Sequence, residues 1–166
     1  KDQGRDWISG LSSVRWEPHS AGAMSDIIFP RSPREQMDGW NYLPRFIDKV
    51  RLHLAGRLSE DYTPNFAHKG FDAEWLKAAG LSAETFIATV QGTLTDGQVC
   101  DWVRQNVKKS ATEKAAFNQW LLHRGREEND PALRERLRMR KAEAGLGHRE
   151  DIQTFVDFID ADEKRH

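Results

Sequence analysis

The strongest constraint on this chain is its punctuation: helix-start signals and helix-stopping glycines alternate at short intervals along most of its length. Thr95 with Gln98 and Ser110 with Glu113 have the spacing of capping boxes, in which each end of the pair satisfies an orphan backbone donor of the other. Ser82 is a simpler N-cap, while Gly56, Gly80, Gly92 and Gly125 stand where helices would stop. Between these marks the apolar residues recur at three- and four-residue steps. Leu43, Phe46, Ile47, Val50 and Leu54 form one such stripe, with Arg45, Asp48, Lys49 and Arg51 elsewhere on the helix. Asp72 is predicted to cap a helix carrying Trp75 and Leu76, and Ser82 one carrying Phe86, Ile87 and Val90. The Thr95 box leads into Val99, Trp102, Val103 and Val107, and the Ser110 box into Phe117, Trp120, Leu121 and Leu122.

Three further segments complete the expectation. Ser32-Pro33-Arg34-Glu35 combines an N-cap, a proline at the first helical position and a returning glutamate, predicting a short helix that ends near Gly39. Asp130-Pro131 opens "DPALRERLRMRKAEAGL", whose few apolar positions include Leu133 and Leu137, so its surface must be largely polar. The stretch from His148 to Asp162 carries Ile152, Phe155, Val156 and Ile159. No alternating run rich in Val, Ile or Thr is long enough for a useful strand. The expected fold class is therefore all-α, a single compact array of about six to eight short helices with two irregular connections, and a dinucleotide-binding sheet is excluded.

With 166 residues the chain is long enough for one real core, and residues 24–166 are expected to form a single helical domain. Residues 1–23 read as an N-terminal extension, either poorly ordered or docked through a turn at Trp7, Ile8, Leu11 and Val14. At 38% hydrophobic and 31% charged, with a net charge of −1, the composition suggests neither disorder nor global attraction to polyanions. No apolar run approaches the roughly 20 residues of a membrane span, so no membrane partner is expected. One cysteine, Cys100, excludes an internal disulfide framework and fits a soluble, cytoplasmic protein.

The wording "PRSPREQMDGWNYLPRFIDKVRLHLAGRLSEDYTPNF", followed by "KGFDAEWL", "FNQWLLHRG" and "DFIDADEKR", resembles the bacterial family called domain of unknown function 5069. The likeness runs from about Pro30 to Arg165 and is densest from Pro30 to Asp72. The resemblance implies a small helical bacterial domain and carries over no catalytic residue, substrate or cofactor.

The function must then be sought in the two irregular connections. Between the Gly56 stop and Asp72 lies a stretch without helical periodicity, long enough to be functional or packed in its own right. It holds Asp61, Tyr62, Asn65 and His68, and a histidine titrating near neutrality can act as acid, base or ligand. The structural alternative is that Tyr62, Phe66 and Phe71 anchor the loop, Pro64 stiffens it, and His68 bonds a backbone group. The other connection, "DGWNYLPR", offers Trp40 and Arg45 beside Arg34, and an arginine fork clamps a carboxylate or phosphate. The candidate ligand-binding residues are therefore Arg34, Trp40, Arg45, Tyr62, Asn65 and His68. The favoured reading is a non-catalytic module that binds a small anionic ligand or a protein partner. An enzyme with Arg45 holding an anion and His68 moving a proton is the first alternative.

Other chemistry finds less support. The six histidines show no paired ligand spacing on one helical face, so neither a metal nor a cofactor is expected; the one alternative is a set assembled from distant residues such as His68, His123 and Asp61. Cys100 reads as a small packed thiol rather than a nucleophile, and Trp75, Trp102 and Trp120 as core residues. Arg134, Arg136, Arg138, Arg140 and Lys141 make residues 131–144 a basic helix, either neutralised by Asp157, Asp160, Asp162 and Glu163 or free to grip nucleic-acid phosphates. Nucleic acid is the second alternative.

Overall fold

The computed structural model describes residues 27–126 and 130–165. The N-terminal extension, with the turn expected around Trp7, lies outside the described residues. Seven α-helices follow a two-strand hairpin: β1 (Gln36–Met37) and β2 (Trp40–Asn41), then α1 (Leu43–Leu54), α2 (Gly70–Ala79), α3 (Ala83–Gln91), α4 (Asp96–Asn106), α5 (Ala111–His123), α6 (Pro131–Glu143) and α7 (Phe155–Asp162). A single turn of 3-10 helix, Thr63–Asn65, lies in the connection between α1 and α2. The all-α expectation holds, with only this small hairpin added. Among the described residues no helix is long and apolar enough to cross a membrane.

The caps explain most boundaries. Ser82, Thr95 and Ser110 each accept a hydrogen bond from the third residue of the helix they open, and the last two form reciprocal boxes. Asp130 caps α6 in the same way. Thr154 with Asp157 forms a further capping box, so α7 starts at Phe155 rather than near His148. Gly80 closes α2 in the left-handed conformation, where a Cβ would be strained.

Two expectations are corrected. Ser32-Pro33-Arg34-Glu35 opens no helix; the segment turns into the hairpin, with Met37 opposite Trp40 and Gln36 opposite Asn41. Asp38 and Gly39 between them have φ of 50° and 77°, the pair of positive values that a tight two-residue hairpin turn demands and that an Asp-Gly dipeptide supplies. So few residues before that turn could not repay helix nucleation. Asp72 is the second misreading, because α2 begins at Gly70 and the Asp72 side chain points inward, 1% exposed.

The core is aromatic. Trp40 packs edge-on against Trp75 and Phe117, and Phe46 meets both Trp75 and Phe86, with ring centroids 4.6–5.8 Å apart. Trp40, Trp75, Phe46 and Phe86 are fully buried, and burying such rings supplies most of the apolar stabilisation. α1 runs through this core against α3, while α5 packs on β2, α2 and α7. The edge of β2 is covered by a side chain: Asn118 of α5 accepts the Asn41 N–H at 2.8 Å and donates to the Gly39 carbonyl at 2.8 Å. An otherwise open strand edge is thereby paired.

Candidate functional site

Four buried charged groups, Arg45, Lys49, Asp72 and Glu163, gather on one side of α1. Its helical spacing places Arg45 and Lys49 one turn apart, both nearly buried at 3% and 5% exposure, on the side that faces the α1–α2 connection and the residues after α7. Arg45 grips Glu163 with both terminal nitrogens, at 2.9 and 2.6 Å. Tyr62 Oη donates to the same carboxylate at 2.5 Å, and Arg165 donates to it at 2.6 Å. Arg45 also donates to the Arg31 carbonyl at 2.9 Å, and Arg165 to the Pro30 carbonyl. The strap of residues 30–31, α1, the 3-10 connection and the turn after α7 thus meet at one carboxylate.

A second carboxylate lies beside it. Asp72 accepts from Lys49 Nζ at 2.6 Å, Tyr42 Oη at 2.7 Å and the Ala67 N–H at 2.9 Å. The Tyr62 ring faces both cations, with the Arg45 guanidinium and the Lys49 ammonium each 5.6 Å from its centroid. Burial drives the Lys49 ammonium below its ordinary range, opposed by Asp72. Burial also pulls on the Arg45 charge, but the hydrogen bonds and charge of Glu163 outweigh it and hold the guanidinium protonated more firmly than usual. Glu163 mirrors this, since its burial is outweighed by Arg45, Tyr62 and Arg165 and its carboxyl is held below the usual range. Tyr62 is pushed up, first by burial and then by its bond to Glu163.

Of the six residues singled out in the sequence, Arg45 and Tyr62 are brought together here. Arg34 lies on the surface, paired with Asp157 and with Asp160 of α7. Trp40 is 0% exposed in the core, so it presents no face to a ligand. Asn65 and His68 are exposed on the connection, and the His68 ring bonds its own chain, Nδ1 lying 2.8 Å from the Phe66 carbonyl oxygen. Phe66 is buried and Phe71 packs against the core, as the anchoring account requires. Lys49, Asp72, Glu163 and Arg165 escaped the sequence reading. Only Lys49 carried a signal, through its four-residue step from Arg45; Glu163 meets Arg45 from 118 positions away.

The remaining candidates fall elsewhere. The His123 ring is exposed and bonds the Gln119 carbonyl, and among the described residues no group of three or more His, Cys, Asp or Glu side chains could hold a metal ion. Cys100 is half-buried, 3.4 Å from an Arg104 nitrogen. Of the acidic residues in the last segment, Asp157, Asp160 and Glu163 are used by Arg34, Arg45 and Arg165 rather than by the basic helix. On α6, Arg138 pairs with Glu135 and Arg140 with Glu143 of the same helix, and Lys141 donates to the Arg149 and Ile152 carbonyls. Arg134 and Arg136 are exposed.

No curated protein matches this sequence. The family model described as Domain of unknown function (DUF5069) matches residues 27–165, which span the whole arrangement from the Pro30 strap to Arg165, and the chain belongs to that family.

Proposed function

We propose that this chain is a non-catalytic binding module that recognises an anionic group, on a small ligand or a protein partner, where its two irregular connections meet α1. One observation carries this reading: Arg45, Tyr62 and Arg165, from three separate parts of the chain, converge on a single carboxylate with the planar fork that suits one. The enzyme alternative asks His68 to transfer a proton beside Arg45, yet the His68 ring is engaged with its own backbone. A soluble, cytoplasmic setting in a bacterium belongs to the same proposal. It is supported by the single cysteine and the family resemblance.

The test begins with native and denatured masses of the purified protein, which reveal any retained small molecule or partner. Tyr62→Phe and His68→Ala then remove one polar group each. Loss of the retained species, or weakening of its binding several-fold, in Tyr62→Phe supports the module. Unchanged affinity in both variants removes it.

A second reading is favoured by one finding, that Arg134 and Arg136 of α6 are exposed while Asp157, Asp160 and Glu163 are held by other arginines. If that exposed pair grips nucleic acid, affinity falls steeply as salt rises and weakens in Arg134→Ala and Arg136→Ala. A salt-insensitive or undetectable interaction dismisses it.

A further inference from the structure

Resting on the module reading above, we infer that Arg45, Tyr62 and Arg165 form a carboxylate-binding site whose present occupant, Glu163, exchanges with a carboxylate from outside. Glu163 has the contacts of a bound ligand more than of a helix residue. Both of its oxygens are used, receiving four hydrogen bonds from three side chains that belong to other turns of the fold or to the segment beyond α7. It sits at the C-cap of α7, beyond the last regular turn. The next residue, Lys164, takes φ of +60°, a left-handed conformation that a non-glycine residue adopts only at some cost. The N–H groups of Glu163, Lys164 and Arg165 bond the Ile159, Ala161 and Asp160 carbonyls, so the exchange is a swing of the Glu163 side chain that leaves this helix end and Arg165 in place.

Charge decides that this must be an exchange and not a simple opening. Lys49 pairs with Asp72 and Arg165 is shared between Glu163 and Asp160, whereas Arg45 has Glu163 as its carboxylate, so withdrawing Glu163 leaves Arg45 without an anionic partner. Arg45 is almost wholly out of water, and a buried charge stripped of its partner is strongly disfavoured. The Glu163 side chain leaves only when another anion takes its place. The shape of the cradle favours a planar carboxylate, which meets the Arg45 fork through two parallel bonds. Access is available because Tyr62 and Arg165 are only half-buried. The incoming carboxylate is either free or carried on an acidic side chain of another protein.

The experiment uses Glu163→Ala, which empties the cradle of its internal competitor. Acetate and a blocked tripeptide bearing one glutamate are titrated against it and against the native chain, with chloride at equal ionic strength as control. Saturable binding of either carboxylate, about tenfold or more tighter in Glu163→Ala than in the native chain, is expected, because the internal occupant no longer reduces the competent fraction. Adding Arg45→Lys should cut it about tenfold, since the fork is lost. Acetate binding points to a free ligand; binding of the peptide alone points to a protein side chain. A folded Glu163→Ala that responds to both no differently from chloride overturns the inference.

If Glu163→Ala fails to fold, the carbon-13 signal of the Glu163 carboxyl in the native chain decides. Movement of that signal toward the position of an exposed glutamate with acetate or peptide, and not with chloride, supports the exchange, and no movement overturns it. A species retained by the purified native chain and lost in Tyr62→Phe would keep the module reading standing even then.

Discussion

The two tyrosines of the chain, Tyr42 and Tyr62, both end on carboxylates, and this makes them reporters of the buried network. Burial raises both phenols above their ordinary range, and Asp72 and Glu163 raise them further. A group whose folded value is raised contributes stability below its unfolded value of about 10, and loses it as pH climbs toward the folded value. Phenolate absorbance followed through an alkaline titration should therefore rise in one step coincident with loss of helical circular dichroism. A gradual rise near pH 10 in a still-folded protein would show that the phenols are free. Glu163 works in the other direction: its depressed carboxyl contributes stability above the usual carboxylate range of about 4.3 and loses it as acid protonates it. None of this was legible residue by residue. Arg45 and Tyr62 could be suspected because an arginine fork and a phenol have recognisable uses, but their shared carboxylate is remote in sequence and ordinary in type.

Local chemistry was far more legible at the scale of the element. Thr95, Gln98, Ser110 and Glu113 form the boxes that their spacing announced, because capping is settled within four residues. Thr95→Ala removes one such cap, and urea unfolding should show a loss of about 1 kcal/mol with little change in slope. The failures have physical causes too. At Ser32 an apparent cap lost to the Asp38-Gly39 turn, and the Ser32 hydroxyl instead donates to Asp160 at 2.9 Å. At Asp72 a residue typical of caps was recruited inward by Lys49, Tyr42 and the Ala67 N–H. Among the described residues no ion pair joins basic α6 to acidic α7, since Asp157, Asp160 and Glu163 are claimed by arginines nearer to them in space.

For the whole molecule, apolar periodicity was enough to specify an all-helical body, since each stripe needs only some partner face to bury against. It could not say which helices meet, or that Trp40 would reach the centre of the core from a hairpin. Long-range polar contacts add to the packing, and through them the strap before the hairpin and the end of the chain at α7 and just beyond it hold each other: Ser32 and Arg34 on Asp160, Arg165 on Pro30. Topologically, that contact turns an open string into something close to a ring. A short linker from Arg165 to Pro30 would close the ring without crossing the core, and the chain could be cut instead at Leu94, whose side chain is 89% exposed between α3 and α4. The order in which the helices are written along the chain is thus a convention of this sequence more than a requirement of its architecture.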